Sequence, residues 1–198
     1  MIYISCTRFN NETWLENAQY RSSNGIRGAI YGSEFRINEK YPQGCLIFVV
    51  EMNLNTNLIQ GIGLIRNSLV LDKKHNIYSR ANYNKYIYKG NYWISRETIL
   101  ALESSVVEIF DNMLFRGLTH LKRLAGITVL REKSFANWNL ISNNVLQLLK
   151  NLFTSHFRTV SQTIMFSDIP EDEDEFELVV PLVEQKSSKK RTIRRTKA

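Results

Sequence analysis

The chain has 198 residues, 43% of them hydrophobic, and a formal charge of +7 at pH 7. This is enough for one ordinary core without staples. Its two cysteines, Cys6 and Cys45, are too few for a disulfide scaffold or a cysteine-rich zinc site. Both lie in apolar runs and are expected to be small buried residues in reduced surroundings. His75, His120 and His156 are far apart and lack Cys or carboxylate partners at ligand spacing, so neither a metal nor another cofactor is expected. The opening Met1 to Cys6 has no basic leader, and no apolar run approaches the roughly 20 residues that span a bilayer. The expectation is a soluble intracellular protein, cytoplasmic or nuclear or else in a viral factory or virion, without a membrane partner. The many Asn, Ile, Lys and Tyr residues match AT-rich coding such as that of a large DNA virus.

In chain order, Ile2 to Cys6 reads as a short buried strand. Asn10-Asn11 offers caps for a helix over about Glu12 to Arg21, which Asn24-Gly25 stops. A second strand is expected at Ile26 to Tyr31. Branched and aromatic residues make Cys45 to Met52, CLIFVVEM, a strand. After the turn Asn53 to Asn57 it pairs as a hairpin with Leu58 to Ile65. Gly61 and Gly63 weaken that return strand by roughly 0.5 to 1 kcal/mol each, which points to a bulge, a barrel corner or a closely packed backbone more than to ligand contact. Ser95 caps a helix over Arg96 to Leu114 with Ile99, Leu102, Val106, Ile109 and Met113 inward. Ile127 to Leu130 is a strand. Ser134 caps a helix reaching His156, with Trp138, Ile141, Val145, Leu148, Leu149 and Leu152 inward. Residues 160 to 167 add a last short strand.

The end of the chain alternates an acidic block, Asp168 to Glu177, with a basic one, Lys186 to Ala198. Such blocks resist compaction, so the chain divides into a domain over 1–167 and a charged flexible tail over 168–198. Residues 1–167 hold 19 Lys plus Arg against 11 Asp plus Glu, a balance of +8, whereas the tail carries 7 against 8. The positive charge therefore belongs to the folded part and favours a fixed face for a polyanion.

Two segments concentrate that charge. Arg116, His120, Lys122, Arg123, Arg131 and Lys133 surround the apolar run 127–130, close to Gly117 and Gly126. Lys85 and Lys89, with Arg80, interleave with Tyr78, Tyr83, Tyr86, Tyr88, Tyr92 and Trp93, a pattern suited to base stacking beside phosphate contact or, equally, to aromatics covering one end of a sheet. No His, Ser or Cys arrangement has a recognisable catalytic spacing, and no loop cradles phosphate. Asp72 near His75 and Glu108 near Asp111 read as solvated charges. The expected function is non-catalytic binding of RNA or DNA. The alternative is a viral structural or assembly protein docking on a protein partner through its basic face and tail.

The order of elements resembles the PUA-like β-barrels, particularly the EVE and YTH domains, over about residues 1 to 150. Ile2-Tyr3-Ile4-Ser5 looks like their opening strand, and CLIFVVEM with QGIGLI looks like their hairpin. RGLTHLKRLAGITVLREKSFANWNLI is similar to their basic loop, short strand and helix near a Trp. The resemblance implies an α+β fold, a mixed β-barrel with flanking helices. It also implies a pocket for one modified base near Ser5, Tyr31, Gly61 and Trp93, with Arg116, Lys122 and Arg123 on phosphates. The chain departs from the YTH pattern in having Ala29-Ile30-Tyr31-Gly32 where many such domains place a Trp.

Overall fold

The structure, a computed structural model, describes residues 1–118 and 120–161. The expected tail lies outside the described residues. So does most of the strand expected at 160–167, whose first two residues instead close the last helix.

The opening strand runs further than expected, as β1 (Ile2–Phe9). Asn10 then starts α1 (Asn11–Ser23). Its Oδ1 accepts from the Thr13 backbone N–H at 2.7 Å, and Thr13 Oγ1 accepts from the Asn10 N–H at 3.0 Å. These two bonds satisfy donors that the first turn leaves free. Asn10→Ala is expected to cost about 1 kcal/mol, read as a lower urea midpoint with an unchanged slope.

The second strand, β2, lies at Ala29–Ser33. The predicted hairpin is present as β3 (Leu46–Asn53) and β4 (Leu58–Arg66), antiparallel with a bulge at Glu51/Met52. β1 pairs with β3 in parallel, which requires the long crossover that α1 and β2 supply. After a 3-10 turn at Ala81–Asn84 come β5 (Tyr86–Gly90) and β6 (Tyr92–Ser95). The remaining elements are α2 (Arg96–Leu102), α3 (Ser104–Phe115), β7 (Thr128–Val129), α4 (Glu132–Ala136) and α5 (Ser142–Ser161).

The α+β class holds, but the strands do not close into the expected barrel. One five-stranded sheet has the order β6-β4-β3-β1-β7, and β2 pairs only with β5 in a separate ribbon. Its two edges are four and two residues long, too short to carry a closing ladder. The central strand β3 is buried on both faces. Phe48, Val50 and Met52 meet Val106, Phe110, Leu149 and Phe153 of the helices. Ile47 and Val49 meet Ala29, Tyr31, Ile87 and Tyr88 of the ribbon. By strand alternation the next residue on the ribbon face is Glu51.

Both long helices expected in the second half are broken. Glu103, with φ −157°, separates α2 from α3 and leaves Leu102 half exposed. Asn139, in the left-handed region at φ 54°, turns the chain between α4 and α5, so Ile141 is 63% exposed instead of inward. Asp111 is not solvated either. It is buried and forms a two-pronged pair with Arg96, whose Nη2 lies 2.8 Å from Asp111 Oδ2. His75 is likewise buried, held between Tyr20 Oη at 2.8 Å and the exposed Asp72 at 3.1 Å.

Candidate functional site

Glu51 is fully buried at the bulge near the end of β3, facing the ribbon, where it meets Tyr31. Tyr31 donates from its hydroxyl to Glu51 Oε1 at 2.7 Å, and the Trp93 indole N–H donates to the same oxygen at 2.9 Å. Glu51 Oε2 has no hydrogen-bond partner among the described residues. Burial pushes the carboxyl of Glu51 up. The charge of Arg21 and the bonds from Tyr31 and Trp93 pull the other way without cancelling it. The Tyr31 hydroxyl is pushed well up in turn, by burial first and then by the Glu51 charge.

Two glycines let these groups meet. A Cβ on Gly63 would stand 2.2 Å from Tyr31 Oη and 2.5 Å from Ala29 Cβ. One on Gly61 would stand 2.8 Å from the Ile94 carbonyl and 3.0 Å from Glu51 Oε2. Close packing is thus why both are glycine, as expected. At Gly61 the packed neighbours are themselves Glu51 and Trp93.

From α1, Arg21 lays its guanidinium on Trp93, 4.0 Å from the ring centroid, with Trp14 at 5.8 Å. One turn earlier, Asn17 donates to the Ile30 carbonyl at 2.8 Å and to Tyr78 Oη at 3.1 Å. Tyr78 closes the cluster, and burial raises its hydroxyl. Five buried side-chain polar atoms lack a partner among the described residues. Three of them, Asn17 Oδ1, Arg21 Nε and Glu51 Oε2, belong to this cluster, and a fourth, Glu16 Oε2, is on the same helix as Asn17 and Arg21, its other oxygen accepting from the Ser79 N–H at 2.9 Å. Buried polar atoms are nearly always paired, so their concentration here makes this cluster the candidate site.

Of the four expected pocket residues, Tyr31, Gly61 and Trp93 do come together, around Glu51. Ser5 faces the same side of the sheet, but it pairs with Val49, and its hydroxyl donates to the Phe48 carbonyl at 3.0 Å. Thr7 is the β1 residue opposite Glu51. Sequence reasoning missed Glu51, Arg21, Asn17 and Trp14. The available signal was one carboxylate inside an apolar strand, with polar residues four apart on a helix that follows β1.

The cations divide between two neighbouring places. Arg116, Arg123, Arg131 and Lys133 are exposed, and His120 and Lys122 half buried, around the turn leading into β7. That turn is anchored to β1, whose Arg8 donates to the Lys122 carbonyl at 2.8 Å. It also touches β2: a Cβ on Gly126 would stand 2.7 Å from Ser33 Oγ. Ser33 pairs with Tyr86 beside the exposed Lys85, while Lys89 pairs with Ile30 about 10 Å further along the ribbon. β2 therefore joins the two regions, with Tyr31 reaching Glu51 and Ser33, two residues on, meeting the basic turn. The tyrosines themselves are dispersed. Tyr78 and Tyr88 are buried, and Tyr92 packs on Phe157 at the helical face.

Two open clefts are present, and neither is lined by Glu51 or Trp93. One of about 270 Å³ is lined by Lys73, Lys74, His75 and Lys85 among others, and one of about 520 Å³ by Glu34, Arg80 and Tyr83. Among the described residues no group of three His, Cys, Asp or Glu could hold a metal, and no helix is long and apolar enough to cross a membrane. Both cysteines are buried, and burial pushes the Cys6 thiol up to about 12, which leaves it unreactive at neutral pH. No protein-family model matches the chain, nor does any curated protein or any solved structure.

Proposed function

We propose that this is a non-catalytic nucleic-acid-binding protein. The cations of the 116–133 segment, with Lys85, hold a phosphate chain, and one exposed base enters the Trp93–Glu51 site. The observation that carries this reading is the continuity along β2 between a cationic turn and a buried cluster of aromatics with unpartnered polar atoms. Phosphate contacts position a strand, and stacking with edge contacts selects a base. The sequence motifs that resemble those of EVE and YTH domains fit the same reading, although the strands here form an open sheet and a ribbon and not a barrel.

In fluorescence anisotropy with labelled single-stranded RNA and DNA, the double variant Lys122→Ala/Arg123→Ala is expected to bind about tenfold more weakly. Its slope of log affinity against log salt should be shallower by about 1.4, the loss for two single-strand phosphate contacts. Unchanged affinity in low salt would overturn the reading. A second reading, an assembly protein docking through the same face, is favoured by Leu118, which is wholly exposed (103%) between Arg116 and Lys122. It predicts one stoichiometric protein partner and no affinity for oligonucleotides.

A further inference from the structure

We infer that Arg21 is a resident occupant of the Trp93 face, displaced by a base that carries an exocyclic amino group and donates it to Glu51 Oε2. This deepens the base-binding reading and rests on it. A guanidinium is planar, carries only donors and stacks on indole rings, so it satisfies Trp93 much as an amino-bearing heterocycle would. At 4.0 Å from the ring centroid, Arg21 covers the surface on which a base would stack. Its fit there is incomplete, because Arg21 Nε and Glu51 Oε2 both remain without partners and no ion pair within 4.0 Å joins the two side chains.

The unsatisfied groups also define the missing complement. Glu51 Oε2 and Asn17 Oδ1 are both acceptors, and both residues are wholly buried. An amino group on adenine, cytosine or guanine supplies donors to such atoms. Uracil presents carbonyl oxygens at the corresponding positions and would bring acceptor against acceptor. A buried acceptor left unpaired discriminates strongly against the wrong partner. The Tyr31 and Trp93 donors hold Glu51 Oε1, which fixes the carboxyl plane and leaves Oε2 as the reading atom.

The experiment uses labelled eight-nucleotide oligouridine RNA and the same RNA with one central adenosine, cytidine or guanosine. It is titrated against the full chain and its Arg21→Ala, Arg21→Lys and Glu51→Gln variants, with circular dichroism to confirm folding. The parent should prefer the amino-bearing RNAs about tenfold. Both Arg21 variants should strengthen that preference at least threefold, Arg21→Lys reporting on it if Arg21→Ala fails to fold. Glu51→Gln should remove the preference, so that the four RNAs bind within about twofold of one another. Equal weakening of all four RNAs by the Arg21 variants, or a preference that survives Glu51→Gln, overturns the inference and leaves the nucleic-acid reading standing. Absence of binding by the parent to every RNA and to the matching single-stranded DNAs overturns both.

Discussion

Glu51→Gln is expected to raise the melting temperature at pH 7, although it alters the centre of the proposed site. Burial holds the folded carboxyl above its ordinary 4.5. Below that value both states are protonated, and Glu51 differs little from glutamine. As pH rises through 4.5 the unfolded chain releases its proton first, so stability falls until the folded carboxyl has also ionised, and the loss then stays constant. Glutamine keeps the oxygen that Tyr31 and Trp93 share. Melting curves from pH 4 to pH 8 should therefore diverge as pH rises. Curves that coincide throughout would contradict an uncompensated buried acid. A residue that lowers stability while organising a polar cluster is the pattern expected where stability has been traded for binding.

Asp111→Ala is expected to have the largest effect on folding, a loss of about 3–5 kcal/mol. Asp111 on α3 accepts from both terminal nitrogens of Arg96 and from the Ile59 backbone N–H at 2.8 Å, while Arg96 Nη1 also donates to the Ile59 carbonyl at 3.0 Å. Truncation strands a partly buried guanidinium and a buried backbone donor together, and leaving such groups unpaired costs more than their net pairing contributes. The network ties α2 and α3 to β4, the strand that carries Gly61 and Gly63, so the loss reaches the strand that packs against Glu51 and Trp93. Urea titration checks it. A loss under about 1 kcal/mol would mean that the pair is effectively solvated.

The parts of the fold legible in the sequence were those set by local chemistry. The Asn10 cap, the apolar hairpin CLIFVVEM with its glycine-bearing return strand, and the buried cysteines all follow from short-range pattern. The helix breaks at Glu103 and Asn139 were not legible, because apolar spacing continued across both and only backbone geometry marks them. Tyr31, Gly61 and Trp93 were placed together by resemblance alone, since they lie on three different strands. Glu51, Arg21 and Asn17 were missed for a related reason. Each looks ordinary along the chain, and their meaning arises only when the α1–β2 crossover lays a polar helix face over the ribbon side of β3. Asp111 was misread because a lone carboxylate on an amphipathic helix gives no hint of an arginine 15 residues away.

The central claim is that a base reaches Trp93. The chain has three tryptophans, and they report from different places: Trp93 donates its indole N–H to Glu51, Trp14 lies across Arg21, and Trp138 sits beside Gly117 at the basic turn. The most direct measurement follows the three indole N–H resonances of nitrogen-15 labelled protein as single-stranded RNA containing amino-bearing bases is added. The account predicts that the Trp93 resonance moves and saturates with the affinity found by anisotropy. A Trp93 resonance that stays fixed at saturation, while Trp138 alone responds, would contradict it.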